Sequence, residues 1–173
     1  QMGETPAVTD YVFFMREGAT KKLPAALAKA TMMPVNNVAV MGAGVMGAGI
    51  AYALACKGPR VLACDTTPDL VARGVGRISD LLRNGVSHHA LTQLQARDVQ
   101  DRISYTHETP PLHHQDLIIE AVVEDMNVKK ALFADLAKRC DERTVLATNT
   151  SALSVTEMAG VVRNPERVIG LHF

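Results

Sequence analysis

Three glycines, Gly42, Gly44 and Gly47, follow the short apolar run Val38-Ala39-Val40-Met41 with the spacing G-x-G-x-x-G. Residues of this type at this spacing can cradle phosphates. Gly42 allows a tight strand-to-helix turn, Gly44 lets backbone approach a pyrophosphate, and Gly47 lets the helix pack closely on the strand. Ile50-Ala51-Tyr52-Ala53-Leu54-Ala55 suits that helix, whose free N–H groups and positive dipole end would face the anion. Val45 and Met46, between the second and third glycines, count with the cofactor contacts. A second apolar run, Val61-Leu62-Ala63-Cys64, ends in Asp65, about 20 residues on, where a ribose-binding carboxylate belongs. A carboxylate accepts from a free 2′-hydroxyl but repels a 2′-phosphate, and Thr66 and Thr67 after it are uncharged. The pattern favours NAD over NADP. An ordinary strand-end acid or helix cap at Asp65 would also satisfy it.

A second group lies where apolar runs end: Glu124, Asn149-Thr150-Ser151 and His172. In an open parallel sheet, ligands bind beyond the carboxyl ends of the strands. Ala121, in the same segment as Glu124, joins the candidate cofactor contacts. Histidine titrates near neutrality and so suits proton transfer. Ser151 could instead cap a helix over 152–159, and His172 could be a satisfied strand-end residue. The pairs His88-His89 and His113-His114 have no cysteine or spaced carboxylates around them, so they read as loop histidines and no metal is expected.

The elements that must position these groups can be read from the pattern. Thr67-Pro68-Asp69 opens a helix, with Leu70, Val71, Ile78, Leu81 and Leu82 on its buried face. Gly74 and Gly76 weaken it by roughly 1 kcal/mol each. A helix over Leu91–Val99 and a strand at Ile103-Ser104-Tyr105 follow. Leu117–Val123 reads as a central strand, apolar as a strand buried on both faces must be. Val128, Leu132, Leu136 and Cys140 mark the apolar face of an amphipathic helix. Val145-Leu146-Ala147 and Val168-Ile169-Gly170-Leu171 close the series. Alternating strands and helices predict an α/β, doubly wound parallel sheet.

Residues 1–34 read as a separate piece. Tyr11-Val12-Phe13-Phe14-Met15 holds three of the seven aromatic residues, Pro24 can open a short Ala-rich helix, and Pro34 separates this segment from the first strand. A docked N-terminal helix and an interdomain linker both fit.

The chain has 173 residues, 21% of them charged, and a formal net charge of zero. With no Lys/Arg run longer than two, a nucleic-acid surface is not expected. Cys56, Cys64 and Cys140 show no C-x-x-C spacing and read as reduced core residues of a cytoplasmic protein. Val38–Cys56 is uncharged over a length that could span a membrane, but its four glycines suit a strand, turn and helix better than one continuous helix. No signal peptide is visible.

Taken together, VAVMGAGVMGAGIA, Asp65, IIEAVVED, TNTSAL and VIGLHF, in this order and spacing, resemble the NAD-binding domain of the 3-hydroxyacyl-CoA dehydrogenase family over about Val35 to Phe173. The resemblance implies a Rossmann-type fold with a helical insert after the second strand, here shorter than in the stand-alone enzymes. It implies NAD as cofactor and an acyl-CoA substrate, oxidised from (S)-3-hydroxyacyl-CoA to 3-oxoacyl-CoA in fatty-acid β-oxidation. His172 then takes the 3-hydroxyl proton, Ser151 hydrogen-bonds the same oxygen, and Asn149 lies near the nicotinamide. Glu124 and Lys129 contact the cofactor, and Asp65 holds the adenosine ribose. Residues 12–34 resemble the linker of multifunctional β-oxidation proteins, in which an enoyl-CoA hydratase domain comes first. The family's carboxylate that orients the histidine, and its helical C-terminal domain that closes the site and forms the oligomer, fall outside these 173 residues. The expectation is a chain that binds cofactor but turns over little by itself. A dinucleotide-binding module without turnover, or a dehydrogenase of a small hydroxy acid, are the competing readings. Ser151 together with His172 favours the acyl-CoA enzyme.

Overall fold

The computed structural model describes residues 34–173, which form one compact unit, Pro34–Phe173. The expectations for the segment before Pro34, including the helix at Pro24, lie outside the described residues.

Six strands make one wholly parallel sheet: β1 (Asn37–Met41), β2 (Arg60–Cys64), β3 (Ile103–Thr106), β4 (Leu117–Glu120), β5 (Val145–Thr148) and β6 (Val168–Gly170). Their order is β3-β2-β1-β4-β5-β6. The chain runs outward from β1 to β3, then returns to lay β4 against the other side of β1. That reversal leaves a crevice beyond the carboxyl ends of β1 and β4, where such sheets bind ligands. The doubly wound reading holds.

Burial on both faces explains the apolar strands. Val38 and Val40 point to one face, joined by Ala48, Ile50 and Ala51 of α1 (Val45–Cys56) and Ile78 and Leu82 of α2 (Pro68–Ser87). Ala39 and Met41 point to the other, against Phe133 and Leu136 of α4 (Met126–Arg139) and Met158 of α5 (Val155–Ala159). Local caps set the helix starts. The Thr67 hydroxyl accepts the Leu70 N–H, and the Asp125 carboxylate accepts from Asn127 and Val128. Thr92 and Gln95 form a capping box at α3 (Gln93–Asp101), which sets that helix two residues later than the Leu91–Val99 expectation.

Three further expectations need correction. The strand expected to reach Val123 ends at Glu120, because the Val122 N–H bonds the Glu120 carboxylate at 2.8 Å instead of continuing the ladder. On α4 the buried row is Lys129, Phe133 and Leu136, while Val128 is 45% exposed. The face is rotated by one residue because the Lys129 ammonium finds a buried carboxylate. Ser151 does not cap the following helix: α5 starts at Val155 and Ser154 caps it. Gly74 does more than weaken α2. A Cβ there would stand 2.6 Å from the Ala43 Cβ, so the glycine lets α2 cross the Gly42–Gly47 turn closely. Among the described residues, no helix is long and apolar enough to cross a membrane, and no group of three or more His, Cys, Asp or Glu is gathered as for a metal ion.

Candidate active site

The glycine turn divides its work between the protein and a ligand. Gly42 has φ +101° and donates its N–H to the Cys64 carbonyl at 2.8 Å, and a Cβ on it would lie 2.6 Å from the Ala121 carbonyl oxygen. A Cβ on Gly47 would lie 1.7 Å from the Gly42 carbonyl oxygen. A Cβ on Gly44 would meet nothing within 4 Å. Gly44 is also the residue before α1, and no side chain caps that helix. With Val45 and Met46 exposed behind it, the first N–H groups of α1 face an open space that a phosphate can enter. The arrangement fits a dinucleotide.

Asp65 stands at the end of β2 and is joined to this turn. Its Oδ2 accepts the Ala43 N–H at 2.8 Å and its Oδ1 accepts the Thr66 N–H at 2.7 Å. From the other side, Arg77 of α2 donates to the Ala43 carbonyl at 3.2 Å. The turn is gripped on both edges. Arg77 was not among the sequence candidates, and its three-residue offset from Gly74, on one helix face, was the available signal.

The second group gathers in a pocket of about 290 Å³. Met46 of α1 lies on one side, Ala121 and Glu124 after β4 and Lys129 of α4 on another, and Asn149, Ser151 and His172 beyond β5 and β6 close it. Asn149 fixes His172 from two points. Its carbonyl oxygen lies 3.3 Å from His172 Nδ1, and its side-chain Oδ1 accepts the Phe173 N–H at 3.1 Å. A carbonyl can only accept, so the hydrogen-bond network assigns the proton to Nδ1 and leaves the Nε2 lone pair free. Ser151 is exposed and lines the same pocket.

Behind the pocket runs an ionic network that the sequence reading found only in part. Glu120 is fully buried, and its carboxylate accepts from Lys129 Nζ at 2.6 Å, the Val122 N–H, and the Thr148 hydroxyl at 2.6 Å. Lys129, 1% exposed, also reaches Glu124 at 3.1 Å. The Thr150 hydroxyl donates to Glu124 and accepts the Leu153 N–H at 3.0 Å. That hydroxyl above all, then the Lys129 ammonium, holds the Glu124 carboxyl below the usual glutamate range. Glu120 and Thr148 were missed, and Thr150 was named without its hydrogen bond to Glu124. An acid inside the otherwise apolar run Leu117–Val123 was the signal for Glu120, since a charge placed there needs a partner.

A family model described as 3-hydroxyacyl-CoA dehydrogenase, NAD binding domain, matches residues 37–173. The chain is 42% identical over 142 residues to a 3-hydroxyadipyl-CoA dehydrogenase of Escherichia coli (strain K12), covering 82% of this chain and 30% of the relative. It is 36% identical over 140 residues to a fatty acid oxidation complex subunit alpha of Acinetobacter baylyi, covering 81% and 20%. A solved structure of a 3-hydroxybutyryl-CoA dehydrogenase from Escherichia coli K12 superposes with a TM-score of 0.78 at 42% identity, covering 82% of this chain and 30% of that one. The chain thus spans less than a third of the length of these relatives.

Proposed function

Because the chain belongs to the 3-hydroxyacyl-CoA dehydrogenase family and carries its NAD-binding domain, we propose that the protein of which it is part oxidises (S)-3-hydroxyacyl-CoA to 3-oxoacyl-CoA in fatty-acid β-oxidation. One observation carries this reading: His172, with Nε2 free, shares a pocket with Ser151 and Met46 at the crevice of the sheet.

Gly44 and the start of α1 hold the pyrophosphate, Asp65 takes the adenosine ribose hydroxyls, and Glu124, Lys129, Asn149, Ala121, Val45 and Met46 shape the remaining contacts. Bound NAD supplies the hydride acceptor. His172 Nε2 accepts the proton of the substrate hydroxyl, a transfer that general-base catalysis makes about 10²–10⁴-fold faster. Ser151 donates a hydrogen bond to the same oxygen. Asn149 keeps the histidine in the tautomer this requires.

The partners belong to the same proposal: a helical C-terminal domain closing over the acyl-CoA and joining subunits, and a hydratase domain before residue 1. The Acinetobacter relative, named as a complex subunit, and residues 12–34, which resemble a linker, support the multifunctional form. Free Cys56, Cys64 and Cys140 support a reducing, cytoplasmic setting.

The test is acetoacetyl-CoA-dependent oxidation of NADH by the full-length protein, with acetoacetate as the comparison. Turnover of acetoacetyl-CoA but not of acetoacetate is expected. Equal or better turnover of the free acid would move the protein to the small hydroxy-acid dehydrogenases.

A further inference from the structure

The pocket beyond β4, β5 and β6 has an unequal number of charges. Glu120 and Glu124 share one ammonium, Lys129 Nζ, at 2.6 and 3.1 Å. Each contact to Glu120 is donated to it, as a carboxylate requires. Glu124 lines the pocket with 45% of its side chain exposed. The other ionisable group lining the pocket is His172, which is neutral in the form that accepts a proton. Two carboxylates and one ammonium leave a single net negative charge.

Resting on the proposed placement of the nicotinamide end in this pocket, we propose that the Glu120–Lys129–Glu124 cluster biases the site toward the oxidised cofactor. NAD+ and NADH carry the same pyrophosphate and riboses and differ by one positive charge on the ring. A net negative cluster attracts the cationic ring and does nothing comparable for the neutral one. Glu120 is essential to this bias although it lies behind the pocket. With Glu120 in place, Lys129 is already neutralised and Glu124 is left in excess. Without it, Lys129 would spend its charge on Glu124 alone and the cluster would sum to zero. Glu120 is therefore a positioning residue, and the bias it sets favours binding in the alcohol-oxidising direction.

Calorimetric titration of the 173-residue chain with NAD+, NADH and ADP-ribose tests this, using wild type, Glu124→Gln and Glu120→Gln. Removing a unit charge from the lining of this pocket, partly screened by solvent, should change affinity about tenfold. Both variants should weaken NAD+ by about that factor relative to NADH, with ADP-ribose reporting any change in the contacts the two forms share. Equal weakening of NAD+ and NADH, or an unchanged ratio, would overturn the proposal. Glu124 is exposed enough that its variant decides the matter even if Glu120→Gln fails to fold. A wild-type chain that binds ADP-ribose as tightly as either nicotinamide form would overturn the placement of the ring as well. One that binds none of the three would overturn the cofactor reading itself.

Discussion

A Cβ on Gly47 would stand 1.7 Å from the carbonyl oxygen of Gly42. Helix α1 passes its own entry turn at a separation that only a hydrogen allows. The same turn leaves free space at Gly44. Two glycines of the motif thus answer to the packing of the protein, and the third, Gly44, is the one proposed to meet the pyrophosphate.

Alanine substitutions should separate those causes. Gly47→Ala forces backbone apart and should cost about 3 kcal/mol or more, at or above the usual range for overpacking. Gly44→Ala should change stability by less than about 1 kcal/mol, the scale of a cap residue, yet weaken NADH binding strongly by occupying the phosphate space. Thermal melts and NADH fluorescence titrations on both variants check this. A stable Gly47→Ala chain would mean that α1 can shift.

Asp65→Asn should narrow the preference for NADH over NADPH by roughly 1–2 kcal/mol, the scale of a hydrogen bond to a charged group. The amide oxygen can still accept the Ala43 N–H that the carboxylate now accepts at 2.8 Å, so the turn should hold. Titration of both cofactors against wild type and variant measures the change. Equal affinity of the wild type for NADH and NADPH would remove Asp65 from the ribose.

The strands along the chain and the glycine turn were legible because they rest on local features: apolar runs of strand length, a fixed glycine spacing, and Thr67-Pro68-Asp69 at a helix start. The back of the pocket was not. Its logic is a long-range pairing, Lys129 of α4 with Glu120 of β4, and a helical wheel drawn on apolarity alone assigns the buried position to Val128. In the fold, Val128 is exposed and the lysine is buried. Thr148, and the partner of Thr150, escaped for a related reason, since these hydroxyls find their carboxylates only once β5 has been placed beside β4. Ser151 lines the pocket, and the cap of the following helix is Ser154.

Breaking the buried pair should be costly, and removing it whole less so. Lys129→Met strands a carboxylate that has no access to water and should cost about 3–5 kcal/mol. Glu120→Gln with Lys129→Met should recover much of that loss, because no uncompensated charge is left inside. Urea denaturation of the single and double variants compares them. A double variant less stable than Lys129→Met would show that Glu120 holds the fold chiefly through Thr148 and Val122.

Cys64, at the end of β2 beside the turn, should be slow to label. Burial pushes its thiol up to about 11. The raised value means that the folded protein holds the proton through the window from 9.0 to about 11, in which an unfolded thiol loses it. Stability contributed by this group is present below that window and falls as pH rises through it. At pH 8 a disulfide reagent should modify Cys64 readily in urea and hardly at all in the folded chain. Rapid labelling without denaturant would contradict its burial.

The chemistry assigned to His172 gives the last expectation. Its ring is exposed and is held by one 3.3 Å hydrogen bond to Asn149, with the neighbouring Phe173 N–H tied to the Asn149 side chain. Misplacing a reacting group by about 1 Å can cost on the order of a hundredfold in rate. Residues 1–173 alone should therefore bind NADH but show negligible acetoacetyl-CoA-dependent oxidation of it. A chimera that continues from Phe173 into the remainder of the Escherichia coli relative should turn over, because closure by the added segment would exclude water and fix the ring. In that chimera, His172→Ala should lower kcat by about 10²–10⁴-fold, as expected for loss of the group that gives the proton to the carbonyl oxygen in this direction and takes it back in the other. Ser151→Ala should lower it less, since it removes a single hydrogen bond to the reacting oxygen. A chimera carrying His172→Ala that turned over as fast as the unsubstituted one would assign the proton transfer to another residue.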